Sequence, residues 1–328
     1  MTISRETVAD LARADLVNNR PVRYRAEEQG LALSGFAAAD REQIVSLYAM
    51  LIELDGIVSV EGGLDDAAPL TAFSARHGVG DLVYALRRLG AGNHDPRIAE
   101  ALHDIRGGAL TALFVQLSRA ARVPYRSDMA RGIAIGTRDH LKIMRNVVPE
   151  LDAPARERDL ALRPHSLGEL ASALREFTAT VGSARVVAAV DCPDEEAIIA
   201  ETCVECAAVD RVAYNLLNNA ARYASRPAVD VSLALLERDL RVAVANPVSE
   251  EQRLILEERL ASDPASLFEG FTTSGSGFGL RIVSDLVARA YGVASLRTLT
   301  AEGYVGARVV GDTFVSWFHW PLSTLTAR

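Results

Sequence analysis

Apolar residues recur at three- and four-residue steps through the first half of the chain, and in short strand-like runs through much of the last third. "DREQIVSLYAMLIELDGIVSVEGG" sets Ile44, Leu47, Leu51 and Leu54 at helical spacing before a glycine-rich stop. "VGDLVYALRRLGAGNHD" is a second, shorter helix closed by Gly90 and Gly92. From Pro96 a longer stripe runs through Ile98, Leu102, Ile105, Leu110, Leu113, Phe114 and Leu117. It breaks at "RVPYRS" and resumes from Asp128 through Ile133, Ile135, Leu141, Met144 and Val147. Two long periodic runs joined by a short turn predict an antiparallel helical hairpin. A hairpin buries only part of its apolar stripe, so pairing with a second copy into a dimeric four-helix bundle is its natural completion.

The pattern changes after Pro149. "ELDAPARERDLALRPHS" is charged and proline-bearing and reads as a linker. Beyond it "ARVVAAVD", "VDVSLALLE", "LRVAVAN" and "VGARVVGDTFVSWFHWPL" read as strands, the second and third as a hairpin pair. Helices are expected at "DRVAYNLLNNAARYA" and after the glycine-rich "TTSGSGFGL". Strands and helices that are not strictly interleaved suggest an α+β sandwich, a mixed sheet with helices on one face. The predicted organisation is multidomain: an all-α regulatory or docking region over 1–95, the hairpin over 96–150, a linker over 151–165 and the α+β domain over 166–328.

Composition narrows the function by exclusion. A chain of 328 residues has room for two or three cores. The 43 acidic against 35 basic side chains give a net charge of −8, with no basic stripe to neutralise phosphates, which argues against duplex nucleic acid as the partner. No apolar run approaches the roughly 18 residues that cross a bilayer. The charged opening "MTISRETVADLARADLVNNR" lacks the apolar core of a signal peptide, so a cytoplasmic location is expected. Cys192, Cys203 and Cys206 suit a reducing compartment. Cys203-x-x-Cys206 has no second pair at zinc-ribbon spacing and no histidine near it in the sequence, so it reads as small apolar side chains on a helix.

Two segments carry chemistry. Gly275-x-Gly277-x-Gly279-Leu280 precedes an apolar helix, and is either a phosphate cradle of bare N–H groups at the positive end of that helix or a flexible turn. Its spacing fits neither a dinucleotide fingerprint nor a Walker loop. Asn215 and Asn219 are four residues apart and share one face of an otherwise apolar helix. Buried amides need partners. A metal ion with its waters, bridging to phosphates, would supply them; a loop capped by one asparagine and solvent around the other would serve as well.

With both segments in view, a resemblance emerges. "DRVAYNLLNNAARYA" resembles the N-box, and "LFEGFTTSGSGFGLRIVSDLVARAYG" the F-box and second glycine box, of the histidine-kinase family of ATP-binding domains, which share the Bergerat-type fold with gyrase and Hsp90. The resemblance covers roughly residues 164–322. It implies ATP and Mg²⁺, with Asn219 holding the metal and Asn215 close to the phosphates. Arg222 and Tyr223 would flank phosphate and adenine. Thr273, Gly275, Gly277, Gly279 and Leu280 would line the nucleotide, and Phe268 and Phe271 would anchor a mobile lid. The chain departs from the family in "LRVAVANPVSEEQ", where Asn246 replaces the aspartate that accepts the adenine amino hydrogen, and Pro247 and Val248 stand where glycine is usual. An asparagine oxygen still accepts that bond, but without charge, and Pro247 stiffens the turn.

"ALHDIRGGALTALF" resembles the family's phospho-acceptor box. His103 would be the nucleophile, with Asp104 accepting a proton from one ring nitrogen so that the other attacks the γ-phosphoryl group, and Arg106 the basic residue at +3. Gly107 and Gly108 replace the polar residue and proline of many members, which implies weak phosphatase activity and a helix loosened by about 1 kcal/mol per glycine. His140 fits the pattern less well, and His165 and His319 read as structural. His77 and His94 are too isolated for a metal site, and residues 1–95 carry no further motif.

The resemblance therefore implies a homodimeric histidine kinase that binds Mg-ATP, phosphorylates His103 and passes the phosphoryl group to an aspartate of a response-regulator receiver domain. Two readings stand beside it. One is a histidine phosphotransferase or scaffold with a degenerate nucleotide domain. The other is a nucleotide-gated binding protein or protein-serine kinase that sequesters a regulator.

Overall fold

The structure is a computed structural model that describes residues 30–59, 64, 66–86, 89–90, 95–106, 108–120, 127–181, 184–269 and 278–322. The chain divides into two compact units, Ala26–Leu160 and a second that contains Ala161–Arg328.

The first unit is helical, with α1 (Ala38–Val58), α2 (Ala68–His77), α3 (Val79–Leu86), α4 (Pro96–Arg106), α5 (Gly108–Ala120), α6 (Ser127–Val147) and α7 (Ala153–Leu160). The periodic residues point inward as their spacing requires. Ile44, Leu51 and Leu54 of α1 share one core with Leu102, Ile105, Leu113, Phe114, Leu117, Ile133 and Met144. Of the residues predicted in that stripe, Ile98 and Ile135 are only half-buried. α1 packs along α6, while α2 and α3 pack against α5. The stripe that the sequence left for a second copy is thus covered within this chain, because α1–α3 bring Ile44, Leu51, Leu70 and Phe73 onto it and remove its apolar surface from water.

The segment read as a linker is ordered. A 3₁₀ turn at Pro149–Leu151 leads into α7, and the first strand follows. Two of its acidic side chains are engaged: Arg145 of α6 meets Asp159 at 2.8 Å, both nearly buried, and the Tyr48 hydroxyl donates to Asp152 Oδ2 at 3.2 Å. These two contacts dock the segment on α1 and α6. Among the described residues no helix is long and apolar enough to cross a membrane.

The second unit contains β1 (Leu162–Ser166), α8 (Leu167–Arg175), β2 (Thr178–Val181), β3 (Ala184–Asp191), β4 (Ile198–Thr202), α9 (Cys203–Tyr223), β5 (Ala228–Leu235), β6 (Asp239–Pro247), α10 (Glu250–Ser262), α11 (Phe278–Tyr291), α12 (Leu296–Ala301), β7 (Val305–Val310) and β8 (Thr313–Pro321). A six-stranded sheet has the order β2-β3-β5-β6-β8-β7 and is antiparallel except between β3 and β5; β1 and β4 form a separate antiparallel pair. This is the mixed sheet that the strand pattern predicted. α8, α9 and α11 pack on it. Side chains alternate across the strands, so Val242 and Val244 of β6 share a face with Phe318 and Trp320 of β8. Ala243, Ala245, Val315 and Trp317 form a separate small cluster on the other face. There the Arg241 guanidinium donates to His319 Nε2 at 3.1 Å. Burial, with the Arg241 charge beside it, holds His319 neutral by pushing its pKa down to about 3.

The helical unit holds another neutral histidine. His140 of α6 is fully buried, and burial pushes its pKa down to about 4. The Ile105 backbone nearby offsets only part of that shift. From the ordinary value of 6.5 down to about 4, the unfolded chain binds a proton at this position that the folded chain refuses, so stability falls as pH falls through that window. We expect wild type to lose about 3 kcal/mol more than His140→Gln between neutral pH and the lower limit. Urea unfolding followed by circular dichroism at stepped pH checks this; parallel pH profiles for the two proteins would contradict it.

Candidate functional site

The site grows from α9. Thr202 caps the helix, its side-chain oxygen accepting the Glu205 N–H at 3.1 Å. Val209, Val212, Ala213, Leu216, Leu217 and Ala220 are buried, and Asn215 and Asn219 ride half-buried beside that stripe. The Asn215 amide nitrogen donates to the Arg211 carbonyl at 2.8 Å, which leaves its Oδ1 as the outward acceptor. The Asn219 side chain makes no hydrogen bond among the described residues.

α11 packs beside α9 and presents its first turn to these amides. A Cβ placed on Gly279 would stand 3.0 Å from Asn219 Nδ2, 3.3 Å from Asn219 Oδ1 and 3.5 Å from Asn215 Oδ1. Both amides thus lie close against bare backbone, where a side chain would be crowded. Two motifs far apart in sequence therefore meet in space. The first N–H groups of a helix have no intrahelical partners and lie at its positive end. Beside them stand one amide without a partner and one free side-chain oxygen, a donor set that fits an oxyanion together with a hydrated cation. The far end of α11 is braced: the buried Tyr291 hydroxyl donates to Asp239 Oδ1 on β6 at 2.6 Å, and Val283 and Val287 are fully buried. Sequence reasoning missed this brace, since a tyrosine on the apolar face of a helix looks like ordinary core.

The remaining positions lie as follows. Arg222 and Tyr223 end α9, the arginine exposed and the tyrosine half-buried. Just beyond them the Ser225 N–H donates to the Pro247 carbonyl at 2.8 Å, tying that end of α9 to the Asn246–Pro247 end of β6. Asn246 is buried on the same strand face as Val242 and Val244, and its amide nitrogen donates to the Pro247 carbonyl at 3.3 Å. Leu280 is half-buried in the first turn of α11, and Phe268 is buried at the end of the 3₁₀ turn Pro264–Leu267. Thr273, Gly275, Gly277 and Phe271 lie outside the described residues.

His103 belongs to the helical unit. It sits on α4 between the buried Leu102 and Ile105, with its side chain 17% exposed. Its Nδ1 is 3.7 Å from Asp104 Oδ1, longer than a hydrogen bond. Arg106 donates from Nη1 to the Leu89 carbonyl at 2.6 Å, so the basic residue of the box fastens α4 within its own unit. α4 ends at Arg106 and α5 begins at Gly108, with Gly107 between them outside the described residues.

Comparison with known proteins gives a match within the second unit. Residues 207–323 match the family described as histidine kinase-, DNA gyrase B-, and HSP90-like ATPase. No curated protein matches the chain. Among solved structures, full-length ShkA in complex with AMPPNP is similar over 90% of this chain and 47% of its own, at 18% identity and a TM-score of 0.39. The chain thus spans about half the length of ShkA. A histidine kinase from Burkholderia phymatum is similar over 78% of this chain and 99% of its own, at 14% identity and a TM-score of 0.32. The histidine kinase AdeS of Acinetobacter baumannii is similar over 68% of this chain and 98% of its own, at 12% identity and a TM-score of 0.28. Residues 207–323 thus match a histidine kinase-, DNA gyrase B- and HSP90-like ATPase domain.

Proposed function

We propose that the protein is an ATP-dependent protein-histidine kinase. In this reading α9 and α11 hold Mg-ATP, His103 accepts the γ-phosphoryl group, and an aspartate on a response-regulator receiver domain takes it on. The observation that carries the reading is the approach of Gly279 to Asn219 and Asn215. Asn219 would hold Mg²⁺ through Oδ1, which suits an ion that takes few protein ligands and keeps its waters. When bound, the ion neutralises phosphate charge. The first N–H groups of α11 would take phosphate oxygens, and Thr273, Gly275 and Gly277 would carry the chain past them. Asn246 Oδ1 would accept the adenine amino hydrogen, and Arg222 and Tyr223 would flank the nucleotide. In the transfer a ring nitrogen of His103 forms the N–P bond as the bond to ADP breaks. The ring proton passes to Asp104, whose carboxylate must first close the 3.7 Å gap to hydrogen-bond distance.

One observation favours a second reading. Asn246 is uncharged, buried and already bonded to the Pro247 carbonyl, so the adenine contact is weaker than a carboxylate would make it. A scaffold or histidine phosphotransferase, charged by another protein, would tolerate this. The homodimer also belongs to the proposal. With the hairpin stripe buried within one chain, its contact would lie on the outer face of α1, where Val45 and Ile52 are exposed seven residues apart.

Incubation with γ-labelled ATP and Mg²⁺ should label wild type at an acid-labile, alkali-stable position and leave His103→Ala unlabelled. Equal labelling of the variant removes His103 as acceptor, and nucleotide binding without any label favours the scaffold. Sedimentation of the same preparation should give a dimer; a monomer at the labelling concentration would remove that part of the proposal.

Titration with a fluorescent ATP analogue reads the nucleotide site separately. Gly279→Ala and Asn219→Ala should each weaken binding about tenfold, roughly 1.4 kcal/mol. Asn246→Asp should bind at least as tightly as wild type. An unchanged Gly279→Ala, or a marked fall for Asn246→Asp, contradicts the placement of these residues around the nucleotide.

A further inference from the structure

A second cluster of ligating side chains lies at the opposite end of α9. His165 of β1, Glu169 of α8 and Cys206 in the first turns of α9 each offer a donor atom, and the three donors lie within 4.8 Å of one another. Local pattern offered no hint of this, because Cys203-x-x-Cys206 has no histidine near it in the chain; the fold supplies one by laying β1 and α8 across the start of α9. We propose that His165, Glu169 and Cys206 form a zinc site.

The chemistry of the donors selects the ion. Imidazole, thiolate and carboxylate are the three ligand types that Zn²⁺ takes, whereas Mg²⁺ and Ca²⁺ seek oxygen alone. The burial fits as well. The His165 side chain is only 7% exposed, and Cys206 is buried. Glu169 is 52% exposed, so the ion has an approach from solvent.

His165 Nδ1 and Glu169 Oε2 are 2.5 Å apart, joined by a hydrogen bond. Two ligands of a tetrahedral zinc stand roughly 3.4 Å apart, from bond lengths near 2.1 Å. An ion seated between Nδ1 and Oε2 would therefore part this pair by about 1 Å. Glu169, on the solvent side, is free to make that swing. Binding releases the Cys206 thiol proton to solvent and forms a Zn–S bond, and water fills the fourth position. An ion held there fastens β1 and α8 to the first turns of the helix whose later turns carry Asn215 and Asn219. It would raise the thermal stability of the domain by mass action whatever the nucleotide site does.

The test uses the full chain, stripped of metal and titrated with Co²⁺ as a spectroscopic stand-in for Zn²⁺. One equivalent should produce a near-ultraviolet thiolate-to-cobalt charge-transfer band with tetrahedral visible bands, and one equivalent of Zn²⁺, but not excess Mg²⁺, should abolish them. Cys206→Ser should lose the charge-transfer band, while Cys203→Ser and Cys192→Ser keep it. Glu169→Gln, at an exposed position that leaves the fold intact, should weaken Co²⁺ binding at least tenfold. It decides the matter if Cys206→Ser does not fold. No band at one equivalent, a band that survives Cys206→Ser, or unchanged affinity in Glu169→Gln overturns the proposal.

Discussion

The structure turns on the contact between the first turn of α11 and the amide face of α9. A helix that lies on a sheet must give its broad face to apolar contact, as α9 does with Val209, Val212, Leu216 and Leu217. Only its margins can carry polar groups without a desolvation cost of several kcal/mol. Asn215 and Asn219 occupy such a margin. What they meet there is the backbone at Gly279, with no side chain between. Any other residue at that position would press into the Asn219 amide. The glycine thus preserves a narrow polar seam between two otherwise apolar helices, and that seam is where nucleotide chemistry can be housed.

The seam depends on bracing from outside itself. Tyr291 and Asp239 fix the far end of α11 to β6, and the Ser225–Pro247 bond fixes the end of α9 to the other end of the same strand. β6 is thereby the common reference for both helices. It is buried along its whole length, so it moves little relative to the sheet. Buried hydrogen bonds to a carboxylate are worth about 1.5–3 kcal/mol, enough to hold helix positions against thermal motion.

How much of this was legible in the sequence depends on the range of the signal. The α9 and α11 helices and the strands β3, β5, β6, β7 and β8 announced themselves through apolar periodicity and punctuation. No element is predicted at α10, although Ser249 and Gln252 form a capping box that marks its start. β1, β2 and β4 are short, and the exposed Leu162 and the irregular register of β1 give no clean alternation to read. The supposed linker failed for a different reason: its Asp159 and Asp152 pair with Arg145 and Tyr48, residues remote in sequence. The same limit hid the covering of the hairpin stripe by α1–α3 and the meeting of His165 with Cys206. Local pattern finds elements and one-dimensional motifs; partners across the fold are set by topology, which pattern does not encode.

The central claim is that the seam between α9 and α11 opens onto a triphosphate. A crystal structure of the chain with Mg²⁺ and a nonhydrolysable ATP analogue tests this most directly. The account predicts metal density at the Asn219 side chain and phosphate oxygens on the N–H groups that begin α11. A structure grown in saturating nucleotide with Asn219 still closed against Gly279, and the nucleotide absent or bound elsewhere, would contradict it.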